Sequence, residues 1–147
     1  MAEIERILVP TDFTDSSERA TDWAVALAER LGARITLMHA YEIPIIGFPD
    51  GALVATAEIA TRLADASRAG LDSAVNRRKG GKIPFDGVLR EGVPWEEINA
   101  VAEEIDAGLI VMGTHGRRGL ARALLGSVAE KVVRTAHRPV TLIRGAH

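Results

Sequence analysis

The sequence predicts an α/β architecture, an open sheet of five parallel strands with helices on both faces. Three observations carry that expectation. Five short apolar runs rich in branched residues recur along the chain, segments with helical spacing separate them, and there is neither an internal repeat nor a domain-length linker. Strands alternating with helices favour a parallel sheet, because each right-handed crossover lays its helix on the sheet. At 147 residues the chain has the size of one ordinary domain, read as residues 1–147.

The first run, Ile7-Leu8-Val9, reads as a strand buried on both faces. In the helix after it, Ala20, Trp23, Ala24, Leu27 and Leu31 step by threes and fours along one face. Asp15 with Glu18 supplies a capping-box-like start and Gly32 a stop. Ile35-Thr36-Leu37-Met38 is the second strand. The stretch YEIPIIGFPDG, residues 41–51, has no clear period, yet Ile43, Ile45, Ile46 and Phe48 are too apolar for a solvated loop, so it is expected to cover something.

A second helix is expected over about residues 52–76, with Leu53, Ala57, Ala60, Ala64, Leu71 and Val75 on one stripe and Gly70 in its interior. Val88-Leu89 marks the third strand. The third helix begins at Pro94, carries Glu96 and Glu97 in its first turn, and buries Ile98, Val101 and Ile105. Leu109-Ile110-Val111-Met112 is the fourth strand, a fourth helix runs from Ser127 with Glu130 to before Pro139, and Val140-Thr141-Leu142-Ile143 closes the chain as the fifth strand. The resulting order, β-α-β-α-β-α-β-α-β, is Rossmann-like.

Composition narrows the function. Lysine and arginine total 18 against 20 acidic residues, a net charge of −2, and the cations are scattered apart from residues 113–130 and Arg77-Arg78-Lys79. A nucleic-acid partner, which wants a net basic face, is therefore not expected. The lack of cysteine removes disulfides and thiolate chemistry and suits a reducing compartment. Glu3, Glu5, Arg6 and Asp12 fit no secretory signal, and no uncharged apolar run approaches the roughly 18 residues of a membrane span. A soluble cytoplasmic protein without a membrane partner is expected.

In open parallel sheets ligands sit at the carboxyl ends of the strands, where neighbouring strands send their helices to opposite faces. Two segments qualify by content: Val9-Pro10-Thr11-Asp12-Phe13-Thr14-Asp15 after the first strand, and GTHGRRGLARALLGSVAE, residues 113–130, after the fourth. If those strands are neighbours, both segments line one crevice. Gly113 and Gly116 can take positive φ and let backbone approach a ligand, and Gly126 precedes a helix whose first N–H groups attract an anion. Phosphate is the natural guest. Ser127 adds a hydroxyl, while His115, Arg117 and Arg118 offer charge or hydrogen bonds from the rim. Asp12 suits ribose hydroxyls or a metal on phosphate. Each signal also has a plainer reading: Ser127 with Glu130 suffices as a helix cap, Asp12 can bond its own loop, the arginines can be solvated, and His39 reads as structural.

Gly113-x2-Gly116-x9-Gly126-Ser127 together with Val9-Pro10-Thr11-Asp12 resembles the universal stress protein family, in its ATP-binding glycine-motif subgroup. The resemblance covers essentially the whole chain, including LMHA at 37–40, EGVPWEEI at 91–98, LIVMGTHGRRG at 109–119 and RPVTLIR at 138–144. It implies an adenine nucleotide, with Pro10, Thr11 and Asp12 facing it and backbone near Ala40 meeting the adenine. Met112 and Gly113 border the ribose and phosphates, and Gly116, Gly126, Ser127 and Val128 hold the phosphate chain. Apart from the resemblance, Asp12 and Ser127 are candidates to share a magnesium ion on the phosphates. The resemblance further implies a homodimer through the last strands. Val140, Leu142 and Ile143 supply an independent motive, an apolar strand whose edge needs a cover, although Arg144 and the short tail can also shield it.

Catalytic phosphoryl transfer usually needs a cation on the γ-phosphate and a positioned nucleophile. The chain has no GxxxxGK[ST] loop, and no carboxylate or histidine is evidently poised on an attacking water. The expected function is therefore a nucleotide-dependent regulatory module that presents residues 41–51 and 117–125 to a protein partner, with any ATP hydrolysis slow. The alternatives are an ATPase or adenylate-handling enzyme, of whose signatures TDFTDSS at 11–17 is a loose echo, and a flavodoxin-like carrier, for which Trp23 and Trp95 give little support.

Overall fold

A computed structural model of the chain describes residues 3–47, 49, 53–54, 57–115 and 125–145. In chain order its elements are β1 (Arg6–Pro10), α1 (Asp15–Leu31), β2 (Arg34–Tyr41), β3 (Ile46–Gly47), β4 (Leu53–Val54), α2 (Ala57–Asn76), β5 (Phe85–Glu91), α3 (Pro94–Glu104), β6 (Leu109–Gly113), α4 (Ser127–Thr135) and β7 (Val140–Ile143). The main sheet is parallel throughout, in the order β5-β2-β1-β6-β7. The five parallel strands expected from the sequence are all present.

The alternation of side chains along each strand divides the core in two. Ile7, Val9, Ile35, Leu37, Leu109 and Val111 point to the face covered by α1 and α2. Leu8, Met38, Ile110 and Met112 point to the opposite face, where Ile98, Val101 and Val132 of α3 and α4 meet them. The helices change face because the chain reverses direction. From β1 it winds outward through β2 to β5, then crosses back beyond β1 to β6, and a right-handed crossover in the new direction lays its helix on the other side. The reversal lies between β1 and β6, which pair Ile7 with Leu109 and Leu8 with Ile110.

Several local expectations are corrected. The buried stripe of α1 is Ala20, Ala24 and Ala28, with Trp23 41% and Leu31 47% exposed, because small residues let this helix approach the sheet closely. The second helix starts at Ala57 rather than near residue 52, since residues 53–54 pair antiparallel with 46–47. Ile45 is 66% exposed rather than covered, and Phe48 lies outside the described residues.

Neither expected N-cap holds. Thr14 caps α1 from an extended backbone, its hydroxyl accepting the Ser17 N–H at 3.4 Å, and Asp15 is already helical. At α4 the cap is Gly126, with φ −59° and ψ 150°, which makes Ser127 the first helical residue. In both helices the capping residue is one position earlier than the sequence suggested. Gly32 does stop α1, at φ 67°, with its N–H on the Ala28 carbonyl.

Candidate functional site at the β1–β6 crossover

Beyond the carboxyl ends of β1 and β6 the structure opens a crevice of about 730 Å³, within the range of small-molecule sites. The loop leaving β1 forms one wall. It is tied by side chains: Thr11 Oγ1 accepts the Phe13 N–H at 3.0 Å, and Asp12 Oδ1 accepts Thr14 N–H at 3.1 Å, Thr14 Oγ1 at 2.5 Å and Ser17 Oγ at 2.7 Å. Asp12 thus does bond its own loop, and so holds the start of α1 beside the crevice. Phe13 takes a left-handed backbone, φ 67°, costly for a residue with a Cβ. Its ring lies 4.4 Å from that of His39, whose Nδ1 pairs with the Thr11 carbonyl at 2.7 Å. His39 thus joins β2 to the β1 loop, and it also lines the crevice.

The opposite wall comes from the end of β6 and the start of α4. The Thr114 N–H reaches the Ile143 carbonyl at 3.2 Å, and the Gly126 N–H reaches the Thr114 carbonyl at 2.7 Å. The second bond clamps the two ends of residues 115–125 together and sets the α4 N-terminus against the crevice. Ser127 and Val128 begin that helix, whose first N–H groups have no acceptor within the helix. Thr114 Oγ1 lies 3.1 Å from His115 Nδ1, and His115 Nε2 is buried without a partner among the described residues. A buried, unpaired imidazole nitrogen favours a polar guest.

Of the expected site residues, Pro10, Thr11, Asp12, Ala40, Met112, Gly113, His115, Gly126, Ser127 and Val128 all line this crevice. Gly116 and Arg117 lie outside the described residues. Gly113 serves differently from expected. It does not use positive φ; a Cβ there would fall 2.3 Å from Ser16 Oγ and 2.9 Å from the Ser16 carbonyl oxygen, so glycine lets α1 pack against β6. Gly70 has a similar role, because a Cβ would sit 2.9 Å from the Phe13 ring.

Sequence reasoning missed Lys131 and Trp95. Both line the crevice, with Lys131 Nζ 5.2 Å from the Trp95 ring centroid. The signal for Lys131 was its spacing, since it follows Ser127 by four residues and shares its helix face. Among the described residues no group of three acidic, histidine or cysteine side chains is placed to hold a metal, and no helix is long and apolar enough to cross a membrane.

Comparison with known proteins agrees with this architecture. A universal stress protein of Methanocaldococcus jannaschii is 34% identical over 142 residues, covering 95% of this chain and 82% of the relative. The crystal structure of a universal stress protein in complex with cAMP superposes with a TM-score of 0.70 at 28% identity, covering 97% of this chain and 98% of that one. A universal stress protein from Archaeoglobus fulgidus in complex with dAMP gives 0.63 at 25% identity, over 97% and 99%. The model of the universal stress protein family matches residues 3–144, and the chain belongs to that family.

Proposed function

We propose that this protein binds an adenine nucleotide, ATP with magnesium, in the crevice between the β1 loop and the α4 N-terminus. It would act there as a cytoplasmic, nucleotide-dependent regulatory module of the stress response. The observation that carries this reading is the convergence of the α4 N-terminus, the Ser127 hydroxyl and the unpaired His115 Nε2 on one crevice. The solved relatives holding cAMP and dAMP support an adenine ring as the guest's other end. In this reading Ala40 backbone meets the adenine, Pro10, Thr11 and Asp12 face the nucleoside, and Met112 and Gly113 border the ribose. Gly116, Arg117, Gly126, Ser127 and Val128 hold the phosphates, and Asp12 and Ser127 would hold a magnesium ion that offsets phosphate charge.

A switch is favoured over an enzyme by Asp12, which spends Oδ1 on three donors from its own loop and the first turn of α1 and so positions the wall rather than acting as a base. Bound nucleotide would change the presentation of residues 41–51 and 117–125 to a protein partner. Two copies would join through the outer edge of β7, where Val140 and Leu142 lie on a strand paired on one side only. The test is to denature the freshly purified protein, identify released nucleotides by mass spectrometry, and repeat after incubation with ATP and magnesium. The wild type retains ATP, and Gly126→Leu, though folded by its melting curve, retains none. Equal retention by the variant, or no uptake by either protein, overturns the reading; rapid Gly126-dependent conversion to ADP or AMP replaces the switch with an enzyme.

A further inference from the structure

We propose that Lys131 is a specificity-determining residue that makes the crevice prefer a nucleoside triphosphate over a monophosphate. The proposal rests on the nucleotide reading above and assigns one of its determinants. Lys131 is the only lysine or arginine among the described residues that line the crevice, where Asp12 and Glu42 are acidic. Nucleoside recognition needs no cation. A chain of phosphates next to two carboxylates does, because each added phosphate brings charge that the wall must offset.

The position of Lys131 fits that task. It lies four residues after Ser127, on the same face of α4, and side chains on a helix lean toward its N-terminus, so the lysine stem runs back toward the first turn. An anion at that turn meets the helix N–H groups and the Ser127 hydroxyl, with the ammonium one turn behind. Lys131 is not held by a carboxylate among the described residues; its ammonium rests 5.2 Å from the centroid of Trp95. A cation over an indole is retained by about 0.5–2 kcal/mol, an interaction that a phosphate can outcompete. Trp95 therefore keeps the charge at the crevice without neutralising it. Glu130 and Arg134, the neighbouring charges of α4, pair with each other at 2.6 Å and do not take part.

The experiment compares adenosine, AMP and ATP by calorimetric titration in one magnesium-containing buffer, against the wild type, Lys131→Gln and Lys131→Arg. Lys131 is exposed at its outer side, and thermal melting confirms that both variants fold. The wild type prefers ATP to AMP; Lys131→Gln reduces that preference about tenfold, leaves adenosine affinity unchanged, and Lys131→Arg restores the preference. If Lys131→Gln keeps the wild-type ratio of ATP to AMP affinity, or weakens adenosine and ATP equally, the assignment of Lys131 falls while nucleotide binding stands. If the wild type binds none of the three ligands, the nucleotide reading itself falls and takes this assignment with it.

Discussion

A glycine inside a helix costs about 1 kcal/mol relative to alanine, and Gly70 is explained only by the ring of Phe13, which occupies the space a Cβ would need. Phe13 in turn holds a left-handed backbone at the rim of the crevice, so two locally unfavourable residues meet between the β1 loop and α2. Gly113 is the more exacting case. Besides the Ser16 hydroxyl, a Cβ there would meet the Ser16 backbone carbonyl, which cannot rotate away as a side chain does. Gly113→Ala is expected to push α1 off β6 and destabilise the fold by about 1–3 kcal/mol, with lower nucleotide affinity, as denaturant unfolding and calorimetry would show. Unchanged stability would mean that α1 yields without cost. None of these roles was legible in the sequence, because each depends on a residue distant along the chain.

Among elements, those with a strong period were legible and those set by pairing were not. β1, β2, β6 and β7 fall where their branched apolar runs predict, and α3 begins at Pro94 as its first-turn chemistry requires. The hairpin of residues 46–47 and 53–54 has strands too short to show any period, and its second strand was absorbed into a helical stripe. Both N-caps were assigned one residue late, since Thr14 before Asp15 and Gly126 before Ser127 offer two adjacent acceptable caps. Between elements, Arg138 ties the start of β7 to the end of α3, bonding Glu103 at 2.8 Å and Asp106 at 2.6 Å.

The Arg138 hydrogen bond holds the Glu103 carboxyl below its ordinary range, against a smaller opposing effect of burial. A carboxyl whose folded pKa is lowered adds stability that is present above its unfolded pKa and lost as pH falls through the folded one. Arg138 itself is pushed up and stays charged throughout. The melting temperature of the wild type should therefore fall more steeply than that of Arg138→Ala between about pH 5 and about pH 3. Parallel curves for the two proteins would show that this latch contributes nothing.

For the whole molecule, the sheet order places the site. Because β1 and β6 are neighbours while their following helices lie on opposite faces, the two segments richest in glycine, hydroxyls and carboxylate meet at one crevice. That meeting was legible as a condition, since alternation of strands and helices predicted the layers and the glycine spacing marked the segments. The contribution of Lys131 and Trp95 was not, because it arises from α3 and α4 packing side by side. The proposed dimer would form through the outer edge of β7, which has no strand beside it among the described residues. Sedimentation should show a dimer that Leu142→Asp converts to a folded monomer, whereas a monomeric wild type would remove that interface.

Whether the crevice at the β1–β6 reversal holds an adenine nucleotide is tested by following backbone amide resonances while ATP is added. Binding in the crevice gives saturable shifts concentrated at Thr11, Asp12, Ala40, Ser127 and Val128, with residues 77–82 at the other end of the sheet unmoved. Shifts confined to residues 77–82, or none at millimolar ATP, would contradict it.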